Sequence, residues 1–279
     1  MVVLSLFDGM STGQQALRNL GFRVSKYYAS EIKKHAIELT KHHFPNTVHL
    51  GDVKNWRSWS IDWSKVDLVL SGSPCQDLSS IGKRKGLHAE RSSLFFTFVD
   101  ILTHIRKYNR SVLFLQENVA SAKKEDIEIM TETLSTKPVL IDSKFFTAQR
   151  RRRLWWTNIK VKTDSIRDAG IMFKDIIGGG MVDKDKAMTL TASYAKSTAY
   201  RDKIKLHKYF VKKLNNSYGG AFNYVIDEDG LYRALTQTEM ERLQGFEDGY
   251  TSILNRTHAG NLLGDAWTLL VIEYIFSFI

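Results

Sequence analysis

Over the first 160 residues, short β-rich runs alternate with longer amphipathic stretches, and this alternation restricts the fold more than any other feature. "VVLSLF" is strand-like and breaks at "DGMSTG", after which "QQALRNL" has helical spacing up to Gly21. "RVSKYYAS" reads as a second strand, followed by a helical "IKKHAIELTKHHF" that Pro45 ends. "TVHLGDV", "VDLVLSG", "SVLFLQENV" and "PVLIDSKFF" carry further strand patterns, with a helical "SSLFFTFVDILTHIRKY" before "SVLF". Strands separated by helices of this length predict an α/β fold, a mostly parallel sheet with helices on both faces. Ligands of such sheets bind at the carboxyl ends of the strands.

The text changes near Gly178. From there to Gly230 it is polar, basic and turn-rich. A helical "TQTEMERLQGF" follows, with Thr236 and Glu239 at capping-box spacing, and the final "WTLLVIEYIFSF" is apolar enough to pack on the sheet. The expected organisation is therefore a main domain over residues 1–177 and 231–279, with a small basic region, 178–230, inserted between. A chain of 279 residues that is 43% hydrophobic can bury such a core.

The net charge of +10 favours a polyanionic partner, nucleic acid first. Between Lys184 and Lys213 nine Lys/Arg stand against two acids, which places much of that charge in the inserted region. A second cluster, "QRRRRLWW", reads as a loop feeding a buried strand. Cys75 is the only cysteine, so neither an intramolecular disulfide nor a cysteine-built zinc site exists, and a reducing compartment is expected. No metal site is expected. The N-terminal stretch carries Asp8 and no basic leader, and the C-terminal apolar run is interrupted by Glu273. The expectation is an intracellular protein with no membrane segment.

Read as chemistry, the strand ends collect polar groups. The first delivers "LFDGMSTG", the second Glu31, the third Asp52, the fourth Pro74-Cys75 and the fifth Glu117-Asn118. Gly9 and Gly13 allow a tight strand-to-helix turn, although the loop lacks the dinucleotide pattern. Glu31 lies 18 residues past Gly13, about where a carboxylate reaches a nucleoside's ribose in such folds. Asp52 can accept from an exocyclic amine, so the pocket suits an adenosine without pyrophosphate. Taken singly, Glu31 and Asp52 are equally readable as ordinary helix N-cap acids.

Three blocks in order, "SPCQ", "QENV" and "QRRRRLWW", resemble the signatures of the cytosine-C5 DNA methyltransferases. "LSLFDGMSTG", "YYASEI", "GDVKNW", "ALTQTEMERLQGF" and "LLGDAWTLLVI" are similar to the family's remaining blocks, and only about 181–230 matches loosely. The opening and closing blocks look most like the branch containing the mammalian de novo enzymes, while Gln76 fits bacterial or phage members better. The resemblance implies a Rossmann-like S-adenosylmethionine-dependent methyltransferase fold with 178–230 as a target-recognition region.

It also implies site residues. Cys75 falls on the catalytic nucleophile, Glu117 on the acid that engages the base, and Arg151 and Arg153 on two spaced arginines that serve catalysis and DNA contact. Phe7, Asp8, Gly9, Thr12, Glu31, Asp52, Val53, Pro74, Leu94 and Trp267 fall on the cofactor blocks. Lys203 and Lys205 are the candidate DNA contacts of the basic region. The last block's glycine pair is Gly260-Asn261 or Gly264-Asp265, of which the second aligns better with the tryptophan.

The chemistry suits these residue types. C5 of cytosine is electron-poor, and adding a thiolate at C6 turns it into an enamine carbon able to take a methyl group. A carboxylic acid at ring N3 and a guanidinium at O2 stabilise the adduct, with Arg151 bracing the loop. A base inside a duplex must first be flipped out. The expected activity is methyl transfer from S-adenosylmethionine to cytosine in double-stranded DNA, in a prokaryotic cytoplasm at the nucleoid, within restriction–modification. The alternatives are the same chemistry on transfer RNA, and a catalytically silent DNA-binding regulator, which the presence of both Cys75 and Glu117 disfavours.

Overall fold

A computed structural model describes residues 1–74, 93–194 and 222–279. The strand runs form β1 (Val2–Leu6), β2 (Lys26–Ser30), β3 (Val48–His49), β4 (Leu68–Ser71), β5 (Leu113–Val119), β6 (Val139–Asp142) and β7 (Arg152–Thr157). They join one sheet in the order β3-β2-β1-β4-β5-β7-β6. The first five are parallel and β7 runs antiparallel to β5. All four residues of β4 are buried, as expected of a strand covered on both faces.

Helices α1 (Thr12–Asn19), α2 (Lys34–His43), α3 (Ser93–Arg106) and α4 (Lys124–Leu134) follow their strands. Val69, Phe114 and Trp156 on one face of the sheet share a cluster with Phe95, Phe98 and Ile101 of α3 and Met130 and Leu134 of α4. On the other face α1 rides close to β4, and a Cβ on Gly13 would stand 2.4 Å from the Leu70 side chain. Helices thus cover both faces.

The remaining elements are α5 (Phe173–Ile176), β8 (Val225–Ile226), β9 (Tyr232–Arg233), α6 (Gln237–Gln244), α7 (Arg256–Asp265) and α8 (Leu269–Phe276). The expected capping box is present at α6, where Thr236 and Glu239 exchange side-chain-to-backbone bonds. Glu239 also takes a two-pronged bond from Arg233, both contacts at 2.8 Å. Burial pushes its pKa up, but this guanidinium and the N–H groups of Gly178 and Thr236 outweigh it and hold the carboxyl below its ordinary value.

Two units divide the chain. The first comprises Met1–Ile141, Arg152–Ser165 and Ile272–Ile279, and the second Asp142–Arg151 and Ile166–Val271. The second unit is larger than the basic stretch and takes in α6, whose polar groups bond within it. Glu241 accepts from the N–H groups of Gly249 and Thr251, and Arg242 donates to the Ile176 carbonyl. "TVHLGDV" also yields only a two-residue strand, because Gly51 turns at φ +73° and Asp52 caps a short 3-10 helix over Val53–Ser58.

Candidate active site

The strand order reverses direction between β1 and β4, and in such sheets ligands settle outside the carboxyl ends at that point. The loop leaving β1 is built for close approach. Phe7, Gly9 and Ser11 all have positive φ (56°, 60° and 56°), a conformation that costs energy for the two non-glycine residues. The loop is held by Asp8 N–H donating to the Ser30 carbonyl and Gly9 N–H donating to Glu31 Oε2 at 2.8 Å. Asp8 accepts from the hydroxyls of Tyr27 and Ser11. Burial drives its carboxyl pKa up to about 6, against the lowering effect of the Ser11, Ser5 and Tyr27 hydroxyls.

Glu31 turns its other oxygen to the N–H groups of Ile32 and Lys33, at 2.7 and 2.9 Å. A carboxylate offers about four acceptor positions, so three backbone bonds leave room for a ribose hydroxyl. Asp52 accepts from Lys54 N–H through Oδ1. Its second oxygen has no hydrogen bond among the described residues. Asp52 therefore also caps the 3-10 helix over Val53–Ser58, whereas Glu31 bonds the backbone ahead of α2 and caps no helix. Carboxylates this close to the loop disfavour a phosphate and suit a phosphate-free nucleoside that carries positive charge. S-adenosylmethionine is such a molecule.

Of the other expected cofactor residues, Thr12 is buried in the first turn of α1, and Pro74 is half-buried beyond β4. Val53 belongs to the core cluster, with Phe7 and Leu94 packed against it. Cys75, Lys203 and Lys205 lie outside the described residues.

At the end of β5, Glu117 and Arg153 meet. Glu117 is opposite Trp155 in the β5–β7 register and Arg153 is opposite Val119, so the pair are diagonal neighbours on one face of the sheet. Arg153 Nε lies 2.9 Å from Glu117 Oε1, with side chains 16% and 13% exposed. This pair is held by a short contact and keeps part of its surface open.

Arg151 behaves differently. It is 3% exposed and donates to the carbonyls of Leu190, Gly264 and Ala266, all within the second unit. So enclosed and bonded, the guanidinium is placed to brace the loop, the part the sequence reading gives it beside Arg153. Its neighbour Gln149, fully buried, bonds the Leu243 carbonyl, the Gln244 side chain and the Leu190 N–H. Trp267 is half-buried between α7 and α8 in the second unit, and Asp265 is exposed.

The residues that sequence reasoning missed are supports. Tyr27 and Ser11 fix Asp8, and Gln149 anchors the turn ahead of Arg151. Gln116 opens the "QENV" block, and its signal was a polar side chain inside the apolar "LFLQENV" run.

Fold and loop chemistry together are those of the α/β S-adenosylmethionine-dependent methyltransferase fold class. The family model for C-5 cytosine-specific DNA methylase matches residues 1–172 and 147–279, and the chain belongs to that family. It is 30% identical over 262 residues to the orphan methyltransferase M.SPRI of Bacillus phage SPR, covering 86% of this chain and 55% of the phage protein. It is 27% identical over 259 residues to the type II methyltransferase M.HpaII of Haemophilus parainfluenzae, covering 86% and 67%. The chain thus spans about half the length of the phage relative. The Entamoeba histolytica methyltransferase EhMeth superposes with a TM-score of 0.70 at 15% identity, over 100% of this chain and 97% of that one. S. pombe Dnmt2 does so with 0.65 at 17%, over 99% and 97%. At these identities the structural likeness shows the fold. Among the described residues no group of His, Cys, Asp and Glu could hold a metal, and no helix is long and apolar enough to cross a membrane.

Proposed function

We propose that this chain methylates C5 of a cytosine flipped out of double-stranded DNA, with S-adenosylmethionine as donor and a covalent cysteine adduct at C6. The observation that carries the reading is the Glu117–Arg153 pair at the end of β5, one strand over from β4, which leads in sequence to Cys75. S-adenosylmethionine supplies an electrophilic sulfonium methyl when bound. Glu31 and Asp52 hold its ribose and adenine, beside the strained loop at Phe7–Ser11.

The Cys75 thiolate forms a bond to C6 while a proton shared with Glu117 settles on ring N3, which raises electron density at C5. Arg153 orients Glu117 and withdraws density through O2. Once the methyl group is on C5, a water molecule takes the C5 proton, the C5–C6 double bond re-forms and the Cys75 thiolate leaves C6. The 178–230 region, with Lys203 and Lys205, recognises the deformed duplex. The family match favours DNA over RNA as the polymer, and relatives from a phage and a bacterium favour a prokaryotic cytoplasm and its nucleoid DNA.

The test is a duplex carrying 5-fluorocytosine at the target, identified beforehand by bisulfite sequencing of DNA from expressing cells. Fluorine cannot leave C5 as a cation, so the adduct should persist through denaturing electrophoresis. Trapping should need S-adenosylmethionine, vanish in Cys75→Ser and slow in Glu117→Gln. An adduct in Cys75→Ser would mean another nucleophile, and no adduct on DNA the protein demonstrably methylates would end the covalent mechanism. Methylation of transfer RNA alone would move the activity to the RNA reading.

A further inference from the structure

We infer that Gln116 is a positioning residue that ties the approach to Cys75 to the Glu117 segment of β5. The inference rests on the proposed roles of Cys75 and Glu117.

Along β5 the side chains alternate. Phe114, Gln116 and Asn118 face the cluster that contains Val69 and Phe98, while Glu117 lies on the opposite face with Trp155. Gln116 is fully buried there. A buried amide in an apolar layer is destabilising unless its bonds are made, and a leucine would fill similar volume without that cost. Core packing alone therefore does not account for glutamine at this position.

Its bonds do. Nε2 donates to Ser73 Oγ at 3.1 Å and to the Glu117 carbonyl at 2.7 Å. Ser73 stands two residues before Cys75 in the sequence, so one amide group spans the lead-in to the nucleophile and the peptide unit of the acid. The register places Ser71 directly beside Gln116, and Ser71 is also fully buried. Ser71 Oγ and Gln116 Oε1 have no hydrogen-bond partner among the described residues. Two unmatched polar atoms on paired residues add a cost here that apolar side chains would not carry. Such groups concentrate where structure serves chemistry. A nucleophile and an acid that act on one ring must be placed within a fraction of an ångström, and a displacement of about 1 Å can cost on the order of a hundredfold in rate. The Ser73–Gln116–Glu117 bridge supplies that constraint.

The experiment compares wild type, Gln116→Leu, Ser73→Ala, Ser73→Thr and the Gln116→Leu/Ser73→Ala double variant. Single-turnover methyl transfer is measured at saturating cofactor and DNA, with thermal stability and cofactor affinity measured on the same preparations. Gln116→Leu and Ser73→Ala should each slow transfer by about tenfold or more, with cofactor affinity unchanged. Gln116→Leu should hold or raise Tm, because it removes the unmatched Oε1. Ser73→Thr keeps the hydroxyl and should recover the rate. The double variant should be no slower than the slower single one, since both remove one bridge.

Single variants at the wild-type rate would overturn the inference, as would rates that fall only in step with Tm or that multiply in the double variant. Should Gln116→Leu fail to fold, the Ser73 pair still decides. A wild-type protein that methylates no cytosine polymer would count against the proposed function, whereas an active wild type with indifferent variants would count against this bridge alone.

Discussion

Asp8 shows how a single residue in the cofactor loop couples chemistry to stability. Its carboxyl pKa is raised from 3.8 to about 6, chiefly by burial. An acid shifted this way adds stability that is full below its unfolded value and is lost as pH rises through the folded one. Asp8→Asn removes the titration and keeps an acceptor for Tyr27. In cofactor-free protein, the Tm of the variant relative to wild type should rise by about 2–4 °C between roughly pH 5 and pH 7. A difference that stays constant over that range would show that Asp8 does not titrate there. Asp8, Glu31 and Glu117 were legible because each ends a recognisable strand, and strand ends are where such sheets hold ligands. The two arginines were less so. Arg153 lies inside β7 and obeys its alternation, but Arg151 precedes the strand at Arg152, and no period dictates where it points. The carbonyls of Leu190, Gly264 and Ala266, distant in sequence, draw it inward.

Among the elements, α7 depends on one missing side chain. A Cβ on Gly264 would stand 2.2 Å from Thr191 C and Ala192 N and 2.5 Å from the Thr191 carbonyl oxygen. These are backbone atoms that cannot swing aside. Gly264→Ala should therefore destabilise the protein by on the order of 2–3 kcal/mol in urea denaturation. Asp265→Ala at the exposed neighbour should change it by less than about 0.5 kcal/mol. An alanine variant as stable as wild type would contradict the packing of α7 on the 191–192 backbone. The sequence showed that one of two glycine pairs matters here, but the partner segment lies some 70 residues away, and no local pattern announces it. Helix α4 was illegible for another reason. Its buried residues, Asp126, Met130 and Leu134, make a narrow stripe that includes an acid, so the apolar period is too weak to read. The capping box of α6 is a purely local device, and it was read directly.

At the scale of the whole molecule, the charge of +10 is unevenly spent. Of the nine basic residues from Lys184 to Lys213, two are engaged within the second unit. Lys184 pairs with Asp183 at 3.0 Å, and the buried Lys186 ammonium donates to the carbonyls of Lys144 and Ile171. The other seven lie outside the described residues, Lys203 and Lys205, the proposed polyanion contacts, among them. Each phosphate neutralised on duplex DNA releases counterions and contributes about −0.9 to the slope of log K against log salt. If Lys203 and Lys205 each contact a phosphate, Lys203→Glu/Lys205→Glu should flatten that slope by about 1.8 and weaken binding most at low salt. S-adenosylmethionine affinity, which the proposed function assigns to Glu31 and Asp52 in the first unit, should stay as in wild type. Fluorescence anisotropy over a salt series gives the slope, and calorimetry gives the cofactor affinity. A variant with the wild-type slope would remove these two lysines from the interface. A variant that loses cofactor affinity along with DNA binding would instead mean that the substitutions damage the fold, because counterion release acts on the polyanion alone.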